Sequence, residues 1–535
     1  MLVNGAIYTV NPLQPWAEAV AIQGETILFV GSDAEAAAFL GPDTEVIDLE
    51  RRMVMPGIHD SHNHLLEVFH AAWTCGLPFG LPPESYLPIL SQCSPFGGQW
   101  VIGFGYSIQS MVTHLRAGGR PPVEILDEGI PNRPAVILAS NSHSVWANSL
   151  ALAAAGLDAA APDPPGGVIM RSQTGEPNGI LLDGAGELVM DLAFAPTPLM
   201  EHLNEEAVIR GLKRLRENGI TSMVDGRTYW QRGYHDAYRQ VEQEGLLTAR
   251  IMLALWAVPY ADDDEQIATL AAMFDNDTES RLRAAQIKIY SDGEVGHTTA
   301  ALLEPYVRSA LAGPRGLTYF DRARLSRYIT ELEPLGFDFF IHAIGDRGAR
   351  QALDAIEQAR GDNGDLGRRH RLTHLEVLAP SDIPRLSELE VIADIQTASD
   401  FVLPENLSFY WSFLGRQRTE ERVLRLKDVY DSGARVVLSS DFDVGDLSPF
   451  RGMERAIARG EQSLPDIAAA IRAYTIDGAY LMRQDDRLGT LESGKLADLI
   501  VVDQNLLEVD VAAISETLVL LTVVGGEEVW RRPGF

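Results

Sequence analysis

Two histidines close an apolar segment as His62-Asn63-His64, and their spacing of two puts both side chains on one face if the segment is a β-strand. Two imidazoles on one face can hold one divalent ion, and zinc is the ion such nitrogen ligands suit best. Asp60 shares their parity and is read as support for a ligand, whereas His59 faces the other side. Further along, His342, His374 and Asp441 each stand near the polar end of an apolar run. Singly, each has an ordinary explanation: a lone strand histidine is more often core or surface, and an aspartate after a strand commonly caps the next helix. Together, five such residues at the ends of four runs make the pattern a metal site needs. His70, His114, His202, His235, His297 and His370 lack that support and are read as structural or surface residues.

Lys288 asks for a separate explanation. The chain has only four lysines (213, 288, 427 and 495), and this one sits between Ile287 and Ile289 in an apolar strand. An uncompensated buried ammonium is costly. Either Lys288 pairs with a carboxylate such as Asp292, or it is carboxylated by CO₂ and becomes an anionic bridge between two metal ions. Burial beside cations lowers the amine's pKa, as that reaction requires.

These residues need a scaffold that gathers strand ends. Short apolar runs are expected as strands at 53–64, 220–225, 249–256, 286–291, 337–344, 371–376, 391–397 and 435–441. Helical stretches at 201–217, 321–333, 346–359 and 417–431 alternate with them. Eight such units predict an α/β chain folded as a (β/α)₈ TIM-type barrel, whose chemistry sits at the C-terminal strand ends. Residues 53–65 plus 201–486 make up this barrel. Residues 1–52 and 487–535 read as alternating strands and together predict one composite β-sandwich. Residues 66–200 are far too long for a βα loop and predict an inserted α+β subdomain near the active-site mouth.

Composition limits the partners. Acidic residues outnumber basic ones 75 to 44, for a formal charge of −31, which disfavours nucleic acid and anionic membranes. The two cysteines, Cys75 and Cys93, form no framework; one bridge could join them, nothing in their spacing demands it, and a reduced cytoplasmic setting fits. No apolar run approaches the length of a membrane helix, and no signal-peptide pattern opens the chain. The expected partner is a small-molecule substrate, and both a monomer and a homo-oligomer stay open.

The segment MPGIHDSHNHL (55–65) resembles the strand-one motif of the amidohydrolase superfamily, and GTLESGKLADLIVVD (489–503) resembles its returning sandwich segment. SNSHSVWANSLAL (140–152), IKIYSDGEVG (287–296), IHAIGDRG (341–348) and LSSDFDV (438–444) resemble the branch typified by N-substituted formamide deformylase. The likeness runs nearly end to end. It implies the barrel with its composite sandwich and hydrolysis of non-peptide C–N bonds, amide or formamide-like. Carried over, His62, His64 and Asp441 hold a first ion, His342 and His374 a second, and carboxylated Lys288 bridges them; family members differ between one and two ions. Ser440 stands where the branch has glycine, and Gly348 where it has alanine.

The expected mechanism is attack of metal-bound hydroxide on a carbonyl carbon. Asp441 accepts the water's proton and passes it to the leaving nitrogen. His143 donates to the developing oxyanion or holds the substrate, with Tyr106, Trp146 and Asn148 as pocket walls. Two rivals differ in reaction or class. A one-metal deaminase needs a glutamate near strand five, but the sequence after His342 is Ala343-Ile344-Gly345-Asp346-Arg347. A metal-free scaffold should have lost ligands, yet all six positions are filled.

Overall fold

The structure is a computed structural model that describes residues 1–535 except 96, 97, 309, 310, 401, 402 and 443. Asp443, inside the LSSDFDV segment, therefore lies outside the described residues.

Eight parallel strands stand side by side in chain order. They are β1 (Ile58–Asn63), β2 (Ile220–Thr228), β3 (Arg250–Trp256), β4 (Leu282–Tyr290), β5 (Asp338–Ala343), β6 (Arg371–His374), β7 (Ile392–Ile395) and β8 (Val436–Leu438). Every residue of β4 is buried, as expected for a parallel strand covered on both faces. Past the end of β8 the ring nearly closes: Asp441 donates its backbone N–H to His62 O at 2.8 Å, and Asn63 bridges Phe442. That closing contact joins two of the predicted ligands.

Helices fall between the strands where the period of apolar residues placed them. Pro198–Glu217 starts from a Thr197 cap with proline at its first turn. The single helix expected over 417–431 is instead two, Arg416–Arg422 and Leu426–Asp431. Between them Leu424 adopts φ 53° and turns its N–H to Glu376 O, which ends the first helix.

The first barrel strand is shorter than expected. Met53–Pro56 pairs with Ala6–Tyr8 and Leu499–Val502 outside the barrel. The chain passes from that sheet into β1 at Gly57, where a Cβ would sit 2.1 Å from Thr221 Oγ1. Two sheets of four and six strands draw on both ends of the chain, with Thr26 bridging Leu496. A separate six-stranded sheet runs from Cys75–Gly76 to Pro177–Asp183 within the long segment after β1. Near its edge Cys75 and Cys93 are joined by a disulfide, the one bridge that the sequence allowed without demanding it. Their Cα atoms are 5.2 Å apart, because the sheet brings Cys75 to the turn that carries Cys93. Among the described residues no helix is long and apolar enough to cross a membrane.

The barrel is fastened to the terminal sheets by a bidentate pair. Arg250 Nε and Nη2 donate to Asp498 at 2.9 and 3.0 Å, with side chains 6% and 1% exposed. Removing one partner strands a buried charge, so Asp498→Ala is expected to cost about 3–5 kcal/mol, read from urea unfolding. A loss below about 1 kcal/mol would show that water reaches this junction freely.

Candidate metal centre

The strand ends bring all six predicted ligand positions to one end of the barrel. His62 Nε2 lies 3.3 Å from Asp441 Oδ1, His64 Nε2 lies 3.1 Å from the same oxygen, and His374 Nδ1 is 3.9 Å from Oδ2. Ligand atoms of His62, His374 and Asp441 all fall within 4.8 Å of one another. The His342 ring is 4.4 Å from that of His374, centroid to centroid. Lys288 Nζ is 3.0 Å from His62 Nε2 and 3.7 Å from the centre of the Phe340 ring. The tightest trio thus takes residues from both of the expected ion sets.

Electrostatics keeps these groups in the protonation states a metal needs. Burial, then the nearby Lys288 charge, lowers His62 far below the ordinary imidazole range. Burial also lowers His374, to about 3, and His342. Their ring lone pairs are therefore free. Burial pushes Lys288 down as well, with the Arg371 and Arg227 charges adding to it against Asp441. Burial alone would raise Asp441, but the His64 hydrogen bond and the His374 and His64 charges hold it below the usual carboxylate range.

Whether a divalent ion fits can be judged from what is left unsatisfied. Among the described residues buried His342 Nδ1 has no hydrogen-bond partner, and its Nε2 reaches only Gly293 O, at 3.4 Å. Buried polar atoms of this kind normally find partners. An orphaned imidazole nitrogen beside a trio of nitrogen and oxygen donors fits an ion of borderline hardness. Backbone strain points to the same place: His374 has φ 75° and Asp441 φ 49°. For residues other than glycine such conformations cost about 1–3 kcal/mol each and persist where surrounding structure enforces them.

A second layer holds the ligands. His62 Nδ1 is 3.1 Å from Thr373 Oγ1, which in turn accepts from Gln396 Nε2 at 2.8 Å. Gly226, within β2, packs against His62, where a Cβ would come within 2.3 Å of the ring. Ser440, the departure from glycine noted in the sequence, has a definite job. Its backbone N–H donates to Asp60 Oδ1 at 2.9 Å and its hydroxyl to Asp60 Oδ2 at 2.6 Å, tying the Asp441 loop to β1. Asp292 does not pair with Lys288. It accepts backbone N–H groups of Ala301, Ile344 and Gly345, steadying the start of the helix Asp346–Asn363, and burial pushes it up to about 7. Gly348 packs on it so closely that an alanine Cβ would lie 2.6 Å from its carboxyl carbon.

A cavity of about 290 Å³ opens over His62, His64, His374 and Asp441. The inserted segment lines it with Trp73, Phe104, Leu138 and His143. His143 Nδ1 is 2.7 Å from Asp183 Oδ1; burial lowers this imidazole, but the Asp183 contact outweighs it and the net shift is upward. The other three expected wall residues lie elsewhere. Trp146 is fully buried in the core and donates to Pro122 O at 2.8 Å. Asn148 caps the helix Ser149–Ala154, and its side chain also binds Ala135 N, Ile130 O and Arg133 O. Tyr106 is buried against Trp146, with its hydroxyl on Ser144. All three are held by that segment's sheet and its helices: Trp146 and Tyr106 share one apolar core, and Asn148 is used as a helix cap.

Sequence reading missed Glu67 and Arg227, which pair at 3.2 Å on the cavity wall. The strand-end rule, applied to β2, picks out Arg227. Asp183, Trp73, Phe104 and Leu138 carry no comparable signal, since only the folding of the insert directs them here.

A sequence profile of the Amidohydrolase family matches residues 45–530. The chain is 26% identical to N-substituted formamide deformylase of Arthrobacter pascens, over 100% of this chain and 98% of that protein. It is 27% identical to the putative amidohydrolase YtcJ of Bacillus subtilis, over 99% of each. It is 28% identical to Protein LONG AFTER FAR-RED 3 of Arabidopsis thaliana, over 99% of this chain and 91% of that one. Among solved structures, an uncharacterized metal-dependent hydrolase from Pyrococcus horikoshii superposes with a TM-score of 0.74 at 24% identity, covering 96% and 98% of the two chains.

Outer-layer contacts that orient ligands typically change metal affinity 10–100-fold, as an order of magnitude. Ser440→Ala, which frees Asp60 and loosens the Asp441 loop, is expected to weaken zinc binding by about that factor in a chelator competition. Unchanged affinity would mean that backbone contacts alone fix Asp441.

Proposed function

The chain belongs to the amidohydrolase family, and from that premise we propose that it hydrolyses a non-peptide C–N bond, amide or formamide-like, with one or two zinc-type ions. The observation that carries this reading is the convergence of His62, His374 and Asp441 beneath a cavity that His143 faces from the opposite chain segment. The match to N-substituted formamide deformylase along the whole chain supports the substrate class.

His62, His64, His374 and Asp441 are the residues to hold an ion, with His342 and Lys288 serving a second. When bound, the ion supplies Lewis-acid polarisation and makes a water acidic enough to ionise near neutral pH. Asp441, held as a carboxylate, takes the proton of the attacking water and delivers it to the departing nitrogen. His143 donates a hydrogen bond to the carbonyl oxygen as charge grows there. Glu67 neutralises Arg227 on the wall, and Trp73, Phe104 and Leu138 keep water from the reacting bond. We read residues 66–200 as the inserted subdomain that builds this cover, and 1–52 with 487–535 as a composite sandwich.

Among the described residues Lys288 has no carboxylate hydrogen-bonded to its amine, and its pKa is pushed down, which suits carboxylation. A one-ion site is the second reading, favoured by the compact trio of His62, His374 and Asp441. Metal content per chain separates the two. On protein purified without chelator, two equivalents in the wild type, falling in Lys288→Ala, are expected. One equivalent, unchanged in the variant, would sink the bridge and bring the one-metal deaminase forward.

Activity is tested on a panel of N-substituted formamides and simple amides. Asp441→Ala and His62→Ala, still folded by circular dichroism, are each expected to lose about 10³-fold in kcat/KM, the several kcal/mol a catalytic ion supplies. Full activity in either variant would overturn the metal-centred mechanism.

A further inference from the structure

His143 does not reach the cavity on its own. It sits just before the strand Ser144–Ala147, which runs antiparallel to Pro177–Asp183 with Ser144 opposite Leu182. That register sets residue 183 across from residue 143. Asp183 donates its backbone N–H to His143 O at 2.9 Å, and its carboxylate takes His143 Nδ1 at 2.7 Å. The two residues are thus clamped twice, by main chain and by side chain, within the inserted sheet.

The surroundings set this pair apart from an ordinary ion pair. The Asp183 side chain is 0% exposed, while His143 retains 11% and lines the cavity. Burying such a pair is costly compared with packing apolar side chains in the same space. Asp183 also adopts φ 49° with ψ −125°, a strained backbone for a residue other than glycine. On its far side Gly293 leaves room: a Cβ there would lie 2.9 Å from Asp183 Oδ2. Strain, burial and a cleared neighbour all serve to bring one carboxylate against one ring nitrogen. The ring lies against the barrel end, its centroid 5.5 Å from His342 and 6.0 Å from Tyr290.

We propose that Asp183 is the positioning residue for His143: its carboxylate keeps a proton on Nδ1 and turns Nε2 toward the metal end of the cavity, to meet the substrate carbonyl oxygen. The proposal rests on the role given to His143 above. With Nδ1 committed to Asp183, the ring cannot flip, and Nε2 is the nitrogen that faces substrate. In the imidazolium that nitrogen carries the donated proton, and the buried carboxylate balances its charge. Both residues of the pair come from the segment 66–200, so that segment contributes to the site as well as covering it.

Two measurements test the assignment. The first needs no substrate: proton NMR of the full chain labelled with ¹⁵N-histidine. A low-field Nδ1–H resonance from a histidine–carboxylate pair is expected in the wild type, lost in His143→Gln and in Asp183→Asn, and kept in His202→Gln, an exposed control. Its persistence in Asp183→Asn would overturn the proposal. Asparagine has the size and shape of aspartate and keeps the main-chain clamp to His143 O, and circular dichroism checks that the variant is folded.

The second uses the zinc-loaded chain and whichever N-substituted formamide it turns over fastest. Asp183→Asn is expected to lower kcat about 10²-fold, with KM within twofold and bound zinc unchanged, and His143→Gln/Asp183→Asn is expected to be no worse than His143→Gln alone. Wild-type kcat in Asp183→Asn beside a crippled His143→Gln would reject the positioning role and leave the hydrolase reading standing. If no formamide or amide is turned over, the proposed reaction fails, and the NMR result still decides the Asp183 contact.

Discussion

A single buried carboxylate organises this protein. Asp441 lies within reach of nitrogens from His62, His64 and His374, all withdrawn from water. Charge in such a place must be balanced by partners in good geometry, because water no longer screens or solvates it. The barrel meets that demand by closing on itself at the same point, where the Asp441 N–H binds His62 O. Ring closure and ligand assembly are therefore one structural event. Disturbing the closure must disturb the site.

From that centre, constraint spreads outward in layers. Ser440 and Asp60 fix the loop that carries Asp441, and Thr373 with Gln396 fix the His62 ring. Asp292 spends its carboxylate on three backbone N–H groups and so sets the helix that follows β5. None of these side chains needs to touch substrate. Their common effect is to stop ligands from relaxing toward easier conformations, which the left-handed backbone at His374 and Asp441 would otherwise favour. The residues departing from the branch pattern, Ser440 and Gly348, both belong to this support and leave the ligands intact.

The cavity has a different origin. Its floor is barrel, and much of its wall is the inserted sheet with Trp73, Phe104, Leu138 and His143. The disulfide between Cys75 and Cys93 ties that wall beside the cavity, with Cys75 itself on the lining. Because the candidate ligands form the floor and a separate sheet forms much of the wall, the wall can vary in sequence without touching those residues.

The sequence by itself determined which candidate ligand residues stand at strand ends and the barrel that presents them. Parity placed His62 with His64, and the alternation of apolar runs placed all eight strands, because both signals are local and each strand end is a position the fold uses uniformly. Local pattern failed where neighbours in space are strangers in sequence. Trp146 and Asn148 follow His143 closely in the chain and Tyr106 lies on another strand, yet all three pack inward, Trp146 and Tyr106 in the core of the separate sheet and Asn148 as a helix cap. Only tertiary structure set Asp183 against His143, Arg227 against Glu67, and Cys75 against Cys93. Each contact joins segments far enough apart that register and packing, and no short-range rule, decide which residues meet.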